Sequence, residues 1–263
     1  MKHFEMSDRH LLKNVTTIFT DIDDTITLNG KLLDVSYSAM WKAYHHGLRI
    51  IPVTGRPAGW VDHIARMWPV FAVVGENGAF YNMMKNGKLM RFHSADATTY
   101  LTNKTKLKAI QDEILSTVHG TALSSDQNYR DYDLAIDYCE DVSRLSEADV
   151  DRIVSIFTKH GATAKVSSIH VNGWFGNYDK LSMVKTLVAQ ELNGEFESLN
   201  NTFVFVGDSP NDEPMFGAFT YSFGVSNIQE FIHRMTATPT FTVDNPGGYG
   251  FSDVIDHIIE SKK

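Results

Sequence analysis

Three aspartates, Asp21, Asp23 and Asp24, crowd positions 21–24 directly behind the run 15–20, whose β-branched and aromatic residues suit a buried strand. In an open α/β sheet the carboxyl ends of the strands are where ligands bind. Carboxylates gathered there repel one another until protons or a cation neutralise them. A second acidic group, Asp208 and Asp212 with Asn211 between them, follows another apolar run at 203–206. Between the two come Thr54-Gly55-Arg56-Pro57, behind the run 48–54, and Lys180 at the start of a helical pattern. This inventory suits metal-assisted phosphoryl transfer, which needs carboxylates for a divalent ion, a nucleophile, an acid/base and donors around phosphoryl oxygens. Turn and N-cap use explains one or two aspartates after a strand equally well. The first cluster alone leaves both readings open.

Placing such groups along one edge calls for a parallel sheet, and the hydrophobic pattern points to one. Asn29-Gly30 reads as a turn and Asp34 as the N-cap of a helix over 34–46 that Gly47 closes. The runs 48–54 and 71–74 read as strands, separated by a helix that opens at Pro57 and carries Trp60, Ile64 and Met67. This βαβα rhythm breaks at Asn86-Gly87, a hairpin signal. Beyond it lie an amphipathic stretch from about 96 to 118, an alternating, half-buried strand at 133–138, a capping box at Ser146 and Asp149, and two short strands within 163–171. The rhythm returns with a helix over 179–192, strands at 203–206 and 221–225, a helix over 226–235 and a last helix from 252. The expected architecture is α/β: a doubly wound, mainly parallel Rossmann-like core over 1–84 and 176–263, interrupted by an α+β unit over 85–175.

A net charge of −8 argues against a surface that tracks nucleic acid, without excluding a small anionic ligand. Cys139 is the only cysteine, so neither an intrachain disulfide nor a cysteine-based zinc cluster is possible. Residues 1–9 lack the apolar core of a signal peptide and no run is long enough to span a bilayer. The expectation is a cytoplasmic protein that engages neither nucleic acid nor membrane.

In order, Asp21-Ile22-Asp23-Asp24-Thr25, Thr54-Gly55-Arg56, Lys180 and Gly207-Asp208-Ser209-Pro210-Asn211-Asp212 resemble the four motifs of the haloacid dehalogenase-like (HAD) superfamily. The segment inserted between the second and third motifs resembles the cap of subclass IIB, which includes Cof-type sugar phosphatases, mannosyl-3-phosphoglycerate phosphatase and sucrose-phosphate phosphatase. A lone Asp-x-Asp is a weak signal; four motifs in order, each at a strand end or helix start, are specific. The resemblance implies a Mg²⁺-dependent phosphatase acting on a small phosphorylated metabolite through an aspartyl-phosphate on Asp21. It makes Asp23 the general acid and base. Asp21, the Asp23 backbone carbonyl and Asp208 would ligate the ion, with Asp212 behind them. Thr54, Gly55, Lys180 and Asn211 would surround the phosphate. The sequence departs from the pattern at Asp24, where many relatives have glycine and where a turn cap is the plain role. It departs again at Tyr178-Asp179-Lys180-Leu181, which lacks the Lys-Gly pair of Cof-type members.

The cap of that subclass resembles a specificity filter. Arg130, His170, Asn172 and Trp174 are its candidates here, with Arg56, Glu76 and Asn77 on core loops. Plain alternatives are an ion pair for Arg130, packing for Trp174 and a turn at Asn77-Gly78. Such a polar pocket suits a phosphosugar or polyol phosphate. Two other functions fit the same fold. A phosphosugar mutase would need cap arginines, here Arg130, Arg144 and Arg152, to hold a bisphosphate; a non-catalytic binding protein would need none of the chemistry.

Overall fold

The computed structural model describes residues 1–94, 97–167 and 169–263. A short strand β1 (Lys2–His3) precedes β2 (Thr17–Thr20), every residue of which is buried. Behind β2 a small hairpin, β3 (Thr27–Leu28) and β4 (Lys31–Leu32), turns at Asn29-Gly30. Then come α1 (Asp34–His45), β5 (Arg49–Pro52), α2 (Ala58–Met67) and β6 (Val73–Gly75). The hairpin β7 (Phe80–Lys85) and β8 (Lys88–His93) pairs antiparallel onto β6, and a bridge from Val53 to Val74 joins this sheet to the main one. The boundary expected at residue 85 falls at the turn of that hairpin, so β8 stays with the core strands.

A second unit follows: α3 (Ala97–Thr117), β9 (Ala122–Leu123), β10 (Leu134–Asp137), α4 (Glu147–Lys159), β11 (Thr163–Val166) and β12 (His170–Trp174). Its sheet is antiparallel in the order β11-β12-β10-β9, and Ile110, Ile114, Ile153, Phe157 and Val171 form its own apolar core. Residue 96, where the amphipathic stretch is expected to begin, lies outside the described residues. β10 is buried throughout, not half-buried as its alternation predicts. The side chains beside it explain why: Asp133 binds Arg130 and Asn172, and Asp137 accepts the amides of Cys139, Glu140 and Asp141, so the polar residues are buried too.

The chain then returns through α5 (Lys180–Glu191), α6 (Phe196–Leu199), β13 (Phe203–Gly207), α7 (Glu213–Ala218), β14 (Tyr221–Gly224), β15 (Phe241–Thr242) and α8 (Gly247–Glu260). The helix expected over 226–235 is instead two 3-10 turns, Ser226–Glu230 and Ile232–Arg234. Only Ile228 is buried there, too little of an apolar stripe to hold a longer helix. The main sheet runs β1-β15-β14-β13-β2-β5 with every pairing parallel. Successive residues of its strands bury opposite ways: Ile18, Ile50 and Val204 pack with α1 and α8 residues, Phe19, Ile51 and Phe205 with α5 residues Val184 and Leu187. The core is therefore doubly wound. Among the described residues no helix is long and apolar enough to cross a membrane.

Candidate active site

β2 and β13 are parallel neighbours with Thr20 opposite Val206, so both acidic clusters leave the sheet at the same edge. The Asp21 N–H donates to the Val206 carbonyl at 2.9 Å, which fixes that register through the last residue. The carboxylates of Asp21, Asp208 and Asp212, all buried, bring oxygen atoms within 4.8 Å of one another. Lys180 enters from the first turn of α5, held by an Asp179–Ser182 capping box. Its Nζ is 2.6 Å from Asp21 Oδ1 and 2.7 Å from Asp212 Oδ1. Asp212 Oδ2 accepts the Asp208 N–H at 3.2 Å.

Three carboxylates thus face one ammonium, leaving two negative charges in a site closed to water. Burial pushes the Asp21 carboxyl up to about 8 against the pull of Lys180, with Asp212 and Asp23 adding to the rise. Asp208 is also raised, by burial and then by Asp21 and Asp212. Burial draws the Lys180 ammonium down, but Asp21 and Asp212 outweigh it and hold it protonated. A site that otherwise recruits protons fits a divalent cation, and all-oxygen donors suit a hard one.

Asp23, two residues on, turns the other way. Its oxygens take the Arg56 guanidinium side-on, with Nε 3.0 Å from both and Nη2 2.8 Å from Oδ1. The same guanidinium lies 2.9 Å from Glu140 and 3.4 Å from Asp126, both in the second unit, and sits over the Trp60 ring at 4.3 Å. Thr54 Oγ1 accepts the Arg56 N–H at 3.0 Å, and the Gly55 carbonyl accepts Arg130 Nη1 at 2.8 Å. Asn211 accepts the Ser209 hydroxyl at 2.8 Å.

The specificity candidates fall into two groups. Arg56, Arg130, His170 and Asn172 line a cavity with Asp21, Asp23, Gly55 and Asn211. Its volume is about 10 Å³, room for hardly more than one water. Arg130 is clamped between Asp126 (2.9 Å) and Asp133 (3.0 Å), Asn172 donates to Asp133, and His170 Nε2 is 2.9 Å from a Glu140 oxygen. Glu76, Asn77 and Trp174 lie outside that lining. The buried Glu76 carboxylate accepts amides from Ala58, Asp131, Tyr132 and Asp133, a clasp between α2 and the second unit. Burial and Asp133 push its pKa up, while four donors favour the ionised form. Trp174 stacks on Tyr178 and donates to its carbonyl. The Asn77 backbone, at φ 55°, bonds the Thr54 carbonyl.

Several neighbours had no role in the sequence reading. Thr25 donates to Asp208 Oδ1, and Asn227 donates to Asp208 Oδ2 and to the Asp24 carbonyl while accepting the Gly247 N–H. Thr25 stands inside the first motif and could have been suspected. Asn227 and Glu140 meet their site partners at long sequence distance, so nothing local points to these roles; Asp126 pairs with Arg130 four residues on as well as with the distant Arg56. Asp24 takes the turn role: at φ 55°, its carboxylate accepts the Asn29 N–H at the β3–β4 hairpin.

Known proteins share this fold. A putative HAD/COF-like hydrolase from Plasmodium vivax superposes with a TM-score of 0.73 at 15% identity, covering 98% of this chain and 100% of that one. The sucrose-phosphatase of Synechocystis sp. PCC6803, solved with sucrose and phosphate, superposes with a TM-score of 0.63 at 14% identity over 94% and 98% of the two chains. The HAD subclass IIB sugar phosphatase BT4131 gives 0.63 at 13% identity over 92% and 98%. No curated protein matches the sequence. A sequence model of the haloacid dehalogenase-like hydrolases matches residues 18–164, more than half the chain and the span that holds Asp21, Asp23 and Thr54. With the fold and this match in agreement, the chain belongs to the haloacid dehalogenase-like hydrolases.

Proposed function

We propose that the protein is a divalent-metal-dependent phosphatase of a small phosphorylated metabolite, a phosphosugar or polyol phosphate, with Asp21 as nucleophile. The observation that carries this reading is the buried Asp21 carboxylate, 2.6 Å from Lys180 within a cluster that Asp208 and Asp212 complete. The sugar phosphatases that share the fold agree with it. Asp21 and Asp208 would hold Mg²⁺, with Asp212 beside them and the Asp23 backbone carbonyl assigned by resemblance. When bound, the ion offsets negative charge on nucleophile and phosphate and so permits their approach.

Asp21 attacks phosphorus while Lys180 offsets its charge and that of the incoming phosphoryl oxygens. The bond from phosphorus to the leaving oxygen breaks, and a protonated Asp23 gives its proton to that oxygen. Water then attacks the aspartyl-phosphate with Asp23 as base, releasing phosphate and restoring Asp21. The Thr54 hydroxyl, the Gly55 amide and Asn211 would bind the phosphoryl oxygens, Gly55 and Asn211 from the cavity wall. Asp23 must leave its side-on pair with Arg56 to serve as acid, and the cavity must widen to admit substrate. The second unit then acts as a cap, closing over bound substrate to exclude water. A mutase is disfavoured because Arg130, fixed between two aspartates, has no free donor face for a bisphosphate.

The test is phosphate release from a panel of hexose, disaccharide, polyol, glycerate and nucleotide phosphates, with and without Mg²⁺. Release from a narrow set, lost in EDTA and reduced at least a thousandfold in Asp21→Asn, is the expected outcome. Turnover that survives Asp21→Asn overturns the nucleophile, and conversion of one phosphosugar to its isomer overturns hydrolysis.

A further inference from the structure

Two grooves share more than one residue with the phosphoryl cavity. One, of about 390 Å³, lies between the second unit and the loops after β13; it shares only Ser167 and Asn211 with that cavity. The other, of about 490 Å³, lies on the opposite flank, between the β3–β4 hairpin and α2. It shares Asp23 and Arg56, and its outer walls include Leu32, Trp60, His63 and Trp68.

We propose that the α2 groove is the subsite for the alcohol portion of the substrate, and that its occupant is a ring with an apolar face and a hydroxyl-bearing edge. This rests on the phosphatase reading above. The atom that leaves phosphorus must come within hydrogen-bond reach of Asp23, and of the two grooves only this one has Asp23 in its wall. Its apolar side is open: Trp60 is 43% exposed and Leu32 39%, although both flank a buried acidic centre. An aromatic wall with a few polar groups is how small-molecule pockets hold amphipathic rings. The polar groups here are Glu140, His63 and the guanidinium that divides groove from cavity. The 390 Å³ cleft differs in kind: Arg234 reaches across it toward Glu147 and Asp151 at 3.7 and 3.6 Å, and no tryptophan lines it.

Filling each groove separates the two. Leu32→Trp and His63→Trp, on different elements and at exposed positions, block the α2 groove; Ala164→Trp blocks the cleft. Steady-state phosphate release is measured for glucose 6-phosphate, mannose 6-phosphate and glycerol 3-phosphate with Mg²⁺ present, and unfolding by circular dichroism confirms that each variant is folded. In both groove variants the ratio of kcat/KM for the hexose phosphates to that for glycerol 3-phosphate falls at least tenfold, through KM. In Ala164→Trp it stays within twofold. A tenfold fall in Ala164→Trp and not in the groove variants overturns the assignment while leaving the phosphatase intact, as does a wild type that prefers glycerol 3-phosphate. A wild type that releases phosphate from none of the wider panel overturns the phosphatase reading, and the groove with it.

Discussion

One guanidinium holds Asp23, Asp126 and Glu140 together, tying a core carboxylate to two from the second unit. Glu140 answers it from the other side, and His170, its Nε2 2.9 Å away, together with the Arg56 pair draws the Glu140 carboxyl down to about 2 from an ordinary 4.5. A carboxyl depressed on folding adds stability above its unfolded pKa and loses it as pH falls toward the folded value. Glu140→Gln therefore melts about 2–4 °C below wild type at pH 7, the shift of roughly 1 kcal/mol in a chain of this size. The gap narrows between pH 4.5 and 2; a gap independent of pH over that window refutes the pairing. The aspartates at strand ends were legible only as part of a set, because turn chemistry accounts for one acidic cluster after a strand but not for two with Thr54 and Lys180 placed between them. Their partners were not: Asp23 with Arg56 spans 33 residues and Arg56 with Glu140 spans 84. Nothing local says which distant residue each one meets.

Elements set how firmly these groups are held. Gly78 follows the turn after β6 at φ 105°, and a Cβ there would lie 2.1 Å from the Asp179 carbonyl oxygen. That carbonyl belongs to the cap of α5, one residue before Lys180. Gly78→Ala should cost about 2–4 kcal/mol from backbone strain and overlap together, with phosphate release falling as Lys180 shifts. Thermal unfolding and assay of the purified variant test both; an alanine variant that melts like wild type counts against the close approach. The parallel strands were legible because β2 and β13 are apolar or β-branched and covered on both faces. β10 was misjudged for a related reason. Its alternation reads as one wet face, yet the polar residues beside it bond each other and the backbone beneath a second layer. Alternation records polarity, and solvent is only one way to satisfy it.

At the scale of the molecule, two cores meet around a site with almost no free volume. Under the proposed function, substrate entry requires relative movement of the two units. Glu76 decides its form. A carboxylate that binds the leading amide of α2 and three successive amides of the second unit is an axle, and the Arg56 pairs with Asp126 and Glu140 are a catch. Opening is then rotation about Glu76 with its bonds kept, not separation of two bodies. In Arg56→Ala, where the catch is gone, amides 131–133 remain protected from hydrogen exchange; if they lose protection together, the axle is no axle. Glu76 donates its N–H to the Arg56 carbonyl at 3.2 Å, so axle and catch sit side by side on the core, and loss of one leaves the other holding the second unit in register.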